Sequence, residues 1–321
     1  MLPKRFLVAV PWLFATALSS DGLHAENYPV KPLRILTSSA GSGVDLGARL
    51  IAQGLTGSLG QQVVVENRAG NLPAETVAKA APDGYTLLVT GTNTWIEPLL
   101  QDAATYAYDV VRDFAPVTLA AWQPGIMVVH PSMPVRFVKD LIAIARAKPG
   151  VLNFASAQRG ASNYLAAELF KSMAGVNIVN VSYSSTTLAI ASLIAGDVHV
   201  SFPTAGAAVP HMKSSKLNGL AVTSIEPSPL FPGLPTVAAS LPGYEAVSIM
   251  AIYVPAKTPA NIVSRLQQEI VRVLGQSDVE EKFTRMGISV VASSPEQLAA
   301  TVKSEVTRMG KIIRETALRG K

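Results

Sequence analysis

The stretch Leu33–Arg34–Ile35–Leu36–Thr37–Ser38–Ser39–Ala40–Gly41–Ser42–Gly43–Val44–Asp45 is an apolar strand that runs into a loop of small residues and opens onto an amphipathic helix over 46–59. A second stretch repeats the design. It reads Val151–Leu152–Asn153–Phe154–Ala155–Ser156–Ala157–Gln158–Arg159–Gly160–Ala161–Ser162–Asn163 and continues into a helix over 164–173. A helix N-terminus leaves backbone N–H groups unpaired and carries a partial positive charge, so it attracts anions. Two such ends in separate halves of one chain are placed to hold both ends of a small anion.

Working outward from the first stretch, the β-branched run 62–66 reads as a second parallel strand. A helix over 74–80 stops before the turn Pro82–Asp83–Gly84, and 85–89 is a third strand ending in the polar loop 90–94. Around the second stretch lie a helix at 138–147, strands at 152–155, 178–181, 198–202 and 217–223, and a helix at 188–195. The Pro-rich stretch 227–242 reads as an irregular connection. The apolar strand 247–254 returns the chain to the first half, and a long helix over 262–274 and two shorter ones complete it. Alternation of this kind implies an α/β fold with parallel sheets flanked by helices, whose ligands sit beyond the C-terminal strand ends.

The expected architecture is therefore two α/β lobes, each a mostly parallel sheet flanked by helices. Residues 26–121 and 251–321 form lobe 1, and 122–250 form lobe 2. Extended crossings near 117–129 and 247–254 make a hinge that closes the lobes on a ligand. Residues 1–25 read as a secretory signal: Lys4 and Arg5 are followed by an apolar stretch over 6–18 and a cleavage site at Leu23–His24–Ala25. That stretch is short of the roughly 20 residues a membrane-spanning helix needs.

Composition excludes several classes. The chain has no cysteine, which removes disulfide scaffolds, thiol nucleophiles and cysteine metal sites. The net charge of +5 falls to +4 without Lys4, Arg5 and Asp21, a mild bias toward anionic partners. Charged residues make up 15% and aromatics 6%, with no basic run to grip a phosphate backbone, so nucleic acid is not an expected partner.

A set of short motifs now carries a resemblance. Tyr28–Pro29–Val30–Lys31–Pro32–Leu33–Arg34, Val64–Val65–Glu66–Asn67–Arg68 and Ala80–Ala81–Pro82–Asp83–Gly84–Tyr85–Thr86–Leu87–Leu88 resemble the Bug family, the extracytoplasmic solute receptors of tripartite tricarboxylate transporters. Asp113–Phe114–Ala115–Pro116–Val117, Leu169–Phe170–Lys171–Ser172–Met173–Ala174–Gly175–Val176, Leu220–Ala221–Val222–Thr223–Ser224 and Leu234–Pro235–Thr236–Val237–Ala238 extend the likeness in order over nearly the whole mature chain. The resemblance implies a two-lobed type II periplasmic binding protein that takes a small carboxylate in the inter-lobe cleft and delivers it to membrane permease subunits. A periplasmic monomer without catalytic residues, metal or cofactor is expected. It implies ligand contacts at Ser38, Ser39, Ala40, Gly41, Gly43 and Asp45 in lobe 1, and at Ser156, Arg159, Gly160, Ala161, Ser162 and Asn163 in lobe 2.

Four positions depart from the family's pattern. The usual Pro-Phe pair after the first strand is replaced by Thr37–Ser38–Ser39. The usual histidine at the second-lobe helix start is Tyr164, the lysine of Tyr-Lys-Gly is lost in Tyr183–Ser184–Ser185, and Arg159 stands where small residues are common.

Residue chemistry assigns roles alongside the resemblance. Gly41 and Gly43 allow close backbone approach. Asp45, being acidic, suits bracing the loop and complementing the helix dipole better than meeting a carboxylate. Ser156, Ser162 and Asn163 are hydrogen-bond donors, although Ser162 or Asn163 equally suits a plain N-cap. Arg159 offers a bidentate guanidinium or an ordinary solvated side chain. Thr92, Asn93, Tyr183 and Thr204 lie at expected strand ends facing the cleft.

The alternative is a dinucleotide-dependent oxidoreductase built on Gly41-x-Gly43 with Glu66 on the ribose. Its third glycine should stand where the chain has Leu46. A hydrolase or metal protein lacks its motifs, and His130, His199 and His211 are scattered without ligand spacing.

Overall fold

β1 (Leu33–Thr37) buries Leu33, Ile35 and Leu36, the near-continuous apolar run of a strand covered on both faces. The computed structural model describes residues 28–38, 40–100, 106–157 and 161–315; the expected signal segment lies outside them. After β1 come α1 (Gly43–Leu59), β2 (Val63–Asn67), α2 (Leu72–Ala78), β3 (Thr86–Gly91) and α3 (Asn93–Leu100). Both β2 and β3 pair with β1 in parallel, the outcome expected of successive βαβ units. α1 seats Ala48, Ile51, Ala52 and Leu55 in the core and stops at Gly60, which takes the left-handed conformation of a helix C-cap.

The chain then crosses between sheets with almost no loop. β4 (Phe114–Pro124) belongs to the first sheet and β5 (Ile126–Val129) to the second, with only Gly125 between them. The second sheet is completed by α4 (Val138–Ala147), β6 (Asn153–Ser156), α5 (Ser162–Ala174), β7 (Val179–Ser182), α6 (Thr186–Ala195), β8 (Val200–Ser201), α7 (Ala205–Lys213) and β9 (Asn218–Val222). An irregular stretch with one 3₁₀ turn, Val237–Ala239, leads back to β10 (Val247–Pro255). Then follow α8 (Ala260–Leu274), α9 (Ser277–Arg285), β11 (Ser289–Val290) and α10 (Pro295–Glu315).

The strand orders are β11-β4-β10-β3-β1-β2 and β7-β6-β8-β5-β9. Each sheet is more mixed than alternation alone implies. β6 pairs in parallel with β7 and β8, as β1 does with its neighbours, but β10 runs antiparallel to β3 and β4, and β5 runs antiparallel to β8 and β9. The antiparallel pairings come from the strands that carry the chain between lobes, which enter each sheet from the hinge side.

Three further differences have local causes. The crossings expected as extended connections are long paired strands, because the apolar runs of β4 and β10 pair from Val247 opposite Pro124 to Pro255 opposite Phe114, with register shifts at Met250/Ala251 and Ile252/Tyr253. The last helix is not short: α10 spans 21 residues and buries Leu298, Val302, Met309 and Ile313 along one stripe. α7 is not among the helices expected from the sequence: its stripe of Ala205, Ala208, Val209 and Met212 is short and lies in an Ala/Gly-rich stretch that contains Pro210.

At the hinge, Thr223 follows β9 and wedges between the diverging crossings. Its N–H donates to the Gly125 carbonyl at 2.9 Å, its hydroxyl accepts from the Gly125 N–H at 2.7 Å, and its carbonyl accepts from the Ala246 N–H at 2.9 Å. One apolar cluster contains Trp95, Leu119 and Leu298 around the first sheet together with Phe154, Phe170 and Tyr244 around the second.

Candidate functional site

In the first loop, Ser42 has extended backbone angles and its hydroxyl accepts the Asp45 N–H at 3.1 Å, which starts α1 at Gly43. Asp45 is 1% exposed and turns back on its own loop. Its carboxylate accepts from the Gly41 N–H at 2.8 Å, Asn67 Nδ2 at 2.7 Å and Arg49 Nε at 3.1 Å. Burial works to raise its pKa, but hydrogen bonds from Asn67, the Gly41 amide and Arg49 outweigh it and hold the carboxyl below its ordinary range. Asn67 Nδ2 also donates to the Ser38 carbonyl at 2.7 Å, and the Ser38 and Ser42 hydroxyls are 2.9 Å apart. Asp45 thus braces the loop from behind. It consumes the Gly41 amide, whereas the Gly43 and Val44 amides have no acceptor among the described residues.

The second loop is braced by an amide instead. Asn163 is buried; its Oδ1 accepts from the Ala157 N–H at 3.3 Å and the Tyr164 N–H at 2.9 Å, and its Nδ2 has no partner among the described residues. The N-cap of α5 is Ala161, with no side-chain cap, so neither Ser162 nor Asn163 plays that part. Ser156 is spoken for inside the lobe: its hydroxyl donates to the Ala157 carbonyl at 2.9 Å and accepts from Asn180 Nδ2 at 2.8 Å.

A third helix start joins them. Thr204 is the N-cap of α7 and bridges Gly125 across the hinge, and the α7 amide of Gly206 has no acceptor among the described residues. Gly206 has a steric reason to be glycine: a Cβ there would lie 2.5 Å from the Met286 carbonyl oxygen. That bare backbone lets the lobe 2 helix approach the turn between α9 and β11, where Gln123 Nε2 also donates to Met286 at 2.8 Å.

These starts open on one cavity of about 570 Å³. Gly41, Gly43, Ser162, Thr204 and Gly206 line it, with Gln123 and Ser248, which are direct partners across the β4–β10 pairing. Leu46, Trp122, Ile249, Met250 and Met286 form its apolar wall. Arg285 reaches the rim, where its exposed side chain pairs with Glu281 at 2.6 Å. No acidic side chain lines the cavity among the described residues. A donor-rich, acid-free pocket of this kind is chemically suited to an anion.

The other expected residues are placed elsewhere. Ala40 is exposed in the first loop. Thr92 accepts the Ile249 N–H at 3.0 Å and lines a smaller adjoining cavity of about 30 Å³ with Ser162. Asn93 hydrogen-bonds Glu97, whose carboxyl is raised by burial against the opposing bonds from Asn71 and Asn93. The Tyr183 hydroxyl contacts Ser192 beside the lobe 2 core. Ser39, Arg159 and Gly160 lie outside the described residues. His130 contacts Ser132 and His199 contacts Asn153, away from the cavity.

Sequence reasoning missed Trp122, Gln123, Ser248, Gly206 and Arg285. A signal existed for two of them: Gln123 and Ser248 are polar residues inside apolar crossing strands. For Gly206 and Arg285 the determinant is a contact between distant segments, which no local pattern carries.

Residues 47–318 match the family model described as a tripartite tricarboxylate transporter family receptor. The chain belongs to this receptor family. The Bug-family resemblance read from its motifs agrees. Among the family's relatives, BugT of Bordetella pertussis is 31% identical, covering 97% of each chain. A UPF0065 protein in the tcbD-tcbE intergenic region of Pseudomonas sp. (strain P51) is 34% identical over 98% of this chain and 95% of its own. Among solved structures, R. palustris Rpa4515 with adipate superposes with a TM-score of 0.80 at 32% identity, over 90% of this chain and 98% of that one. MatC from Rhodopseudomonas palustris with bound malate gives 0.77 at 29% identity, over 89% and 100%. The dinucleotide alternative finds no support in these likenesses.

Proposed function

We propose that the chain is a periplasmic solute receptor that holds a small carboxylate between its lobes, leaves it chemically unchanged and delivers it to membrane permease subunits. The observation that carries this reading is the meeting of the α1, α5 and α7 starts in one cavity, with amides from both lobes that have no acceptor, and no acidic side chain in the lining, among the described residues. Relatives solved with adipate and malate support the same ligand chemistry.

The proposed ligand contacts are Gly43, Ser162, Thr204 and Gly206, with Gln123 and Ser248 from the hinge strands. Residues 1–25 are the proposed export signal. Lobe 1 comprises 26–124 and 247–321 and lobe 2 the residues between, closing about the Gly125–Thr223–Ala246 junction. The boundaries expected at 121/122 and 250/251 shift because β4 and β10 stay in the first sheet as far as Pro124 and Val247.

Magnitudes set what closure must supply. An exposed helix end contributes about 0.3–1 kcal/mol and a partly buried one about 2 kcal/mol. A micromolar complex needs about 8 kcal/mol. The balance falls to directed hydrogen bonds strengthened as the lobes exclude water.

Calorimetry of the mature chain against mono-, di- and tricarboxylates tests the reading. At least one acid should bind reversibly at micromolar concentration and be recovered unaltered; silence across the panel, or turnover of the acid, would overturn it.

A further inference from the structure

The cavity lining divides by chemistry. Its donors lie at the helix starts, at Gly43, Ser162, Thr204 and Gly206, and at the Gln123–Ser248 strand pair, while the rest of its wall is built from Leu46, Trp122 and Met286 above the buried Ile249 and Met250. Leu46 is 43% exposed on the first turn of α1. It is a large apolar side chain held toward the cavity space. Of the charged side chains in the described lining, the single cation, Arg285, is already engaged by Glu281.

From this division we infer that the cavity takes a carboxylate with one charged end and an apolar body, alkyl or aryl. The inference rests on the receptor reading above and narrows it to a ligand class. The charged end meets the helix starts, where the amides lack internal partners. The body lies against Leu46, Trp122 and Met286, leaving water for an apolar surface. The flexible Met286 side chain suits bodies of different shape, and Trp122 adds an aromatic side chain to the same lining against which an aryl group can pack.

A hydroxylated polyacid fits this lining poorly. Beyond the helix starts its further carboxylates would find only Gln123, Ser248 and the already engaged Arg285, and any pressed on Leu46, Trp122 or Met286 would go unpaired, which is costly. Asp45, the nearest acid in the loop, is turned into its brace and puts no charge in the way of the apolar body.

The test is calorimetry of the mature chain with acetate, butanoate, hexanoate and phenylacetate beside malate and citrate. Affinity should rise about three- to fourfold per added methylene up to hexanoate. Hexanoate or phenylacetate should exceed malate and citrate by roughly tenfold or more. Trp122 emission should shift with hexanoate and phenylacetate, while Trp95, 1% exposed in the core, contributes a constant background.

Leu46→Gln, a change at a partly exposed helix position, should weaken hexanoate about fivefold and leave acetate unchanged. Tighter binding of malate or citrate than of hexanoate and phenylacetate overturns the inference and leaves the receptor reading standing, as does a flat dependence on chain length. Absence of binding by all six acids overturns both.

Discussion

The two loops that open onto the cavity solve one mechanical problem with different chemistry. In each, a side chain from the first turn of the helix reaches back and ties down its own loop: Asp45 takes the Gly41 N–H and Asn163 takes the Ala157 N–H. Lobe 1 uses a carboxylate and offsets it with Arg49 and Asn67. Lobe 2 uses a neutral amide whose Nδ2 has no partner among the described residues. A carboxylate at a helix N-terminus draws on the same partial positive charge that an anionic ligand would use. The α1 end is therefore partly neutralised from within, and the α5 end keeps its field for the ligand. The rigid loop and the attractive loop are in different lobes.

Asp45→Asn attacks the rigid loop and should have the largest effect. The substitution turns three charge-assisted bonds into weaker ones and places an amide NH₂ among donors. A loss of about 2–3 kcal/mol is expected, read as a lower urea midpoint at unchanged m-value. Loss below about 0.5 kcal/mol would mean that the Ser38–Asn67 contact suffices to hold the loop.

The same group makes the difference between lobes pH-dependent. Its folded pKa is depressed below the ordinary value of 3.8, so its stabilisation is fully present above that value and disappears as pH falls through the lowered one. Unfolding free energies of the parent and Asp45→Asn should differ most above the ordinary carboxylate range and converge as pH falls through the lowered folded-state pKa. A constant gap across that range would remove the carboxylate's charge from the account.

Both loops serve one cavity only while the hinge keeps the lobes aligned. Thr223→Val preserves the shape of the wedge but strands the Gly125 N–H and removes the hydroxyl contact to the Ala246 carbonyl. About 2 kcal/mol of stability should be lost. Ligand affinity should fall with it, measured by the same titration.

Asn163→Asp then tests the attractive loop. The new oxygen takes the place of Nδ2 beside the α5 N-terminus, whose partial charge tolerates it, so stability should change by less than about 1 kcal/mol. Carboxylate affinity should drop roughly tenfold, or about 1.4 kcal/mol, because the loop now carries the ligand's own sign of charge. Unchanged affinity would show that α5 does not face the anion.

Much of this contrast was legible before any coordinates. The loops at Gly41–Gly43 and Ser162–Asn163 follow from apolar runs that stop at small residues, a local pattern that fixes strand, turn and helix start together. The bracing role of Asp45 followed from its charge. What escaped was non-local. Gly206 matters because Met286 lies against it, and α7 packs the short stripe Ala205, Ala208, Val209 and Met212 on the lobe 2 core despite Gly206 and Pro210 in its sequence. Ser156 and Tyr183 look like cleft residues by position, but their hydroxyls meet Asn180 and Ser192 within lobe 2. Strand-end position predicts where a backbone points, and pairing partners decide what its side chain is free to do.

The smallest effect separates capping from binding. Ser42 and Ser162 are both serines at a helix start on the cavity side, yet Ser42 accepts the Asp45 N–H while α5 has Ala161 at its N-cap. Ser42→Ala should therefore cost about 1 kcal/mol of stability. Ser162→Ala should leave the unfolding midpoint within error and weaken the carboxylate by about 0.5–1.5 kcal/mol, the contribution of one hydrogen bond. A stability loss at Ser162 equal to that at Ser42 would make it a structural residue. Only a pure affinity loss is consistent with a hydroxyl that stays uncommitted until the ligand arrives.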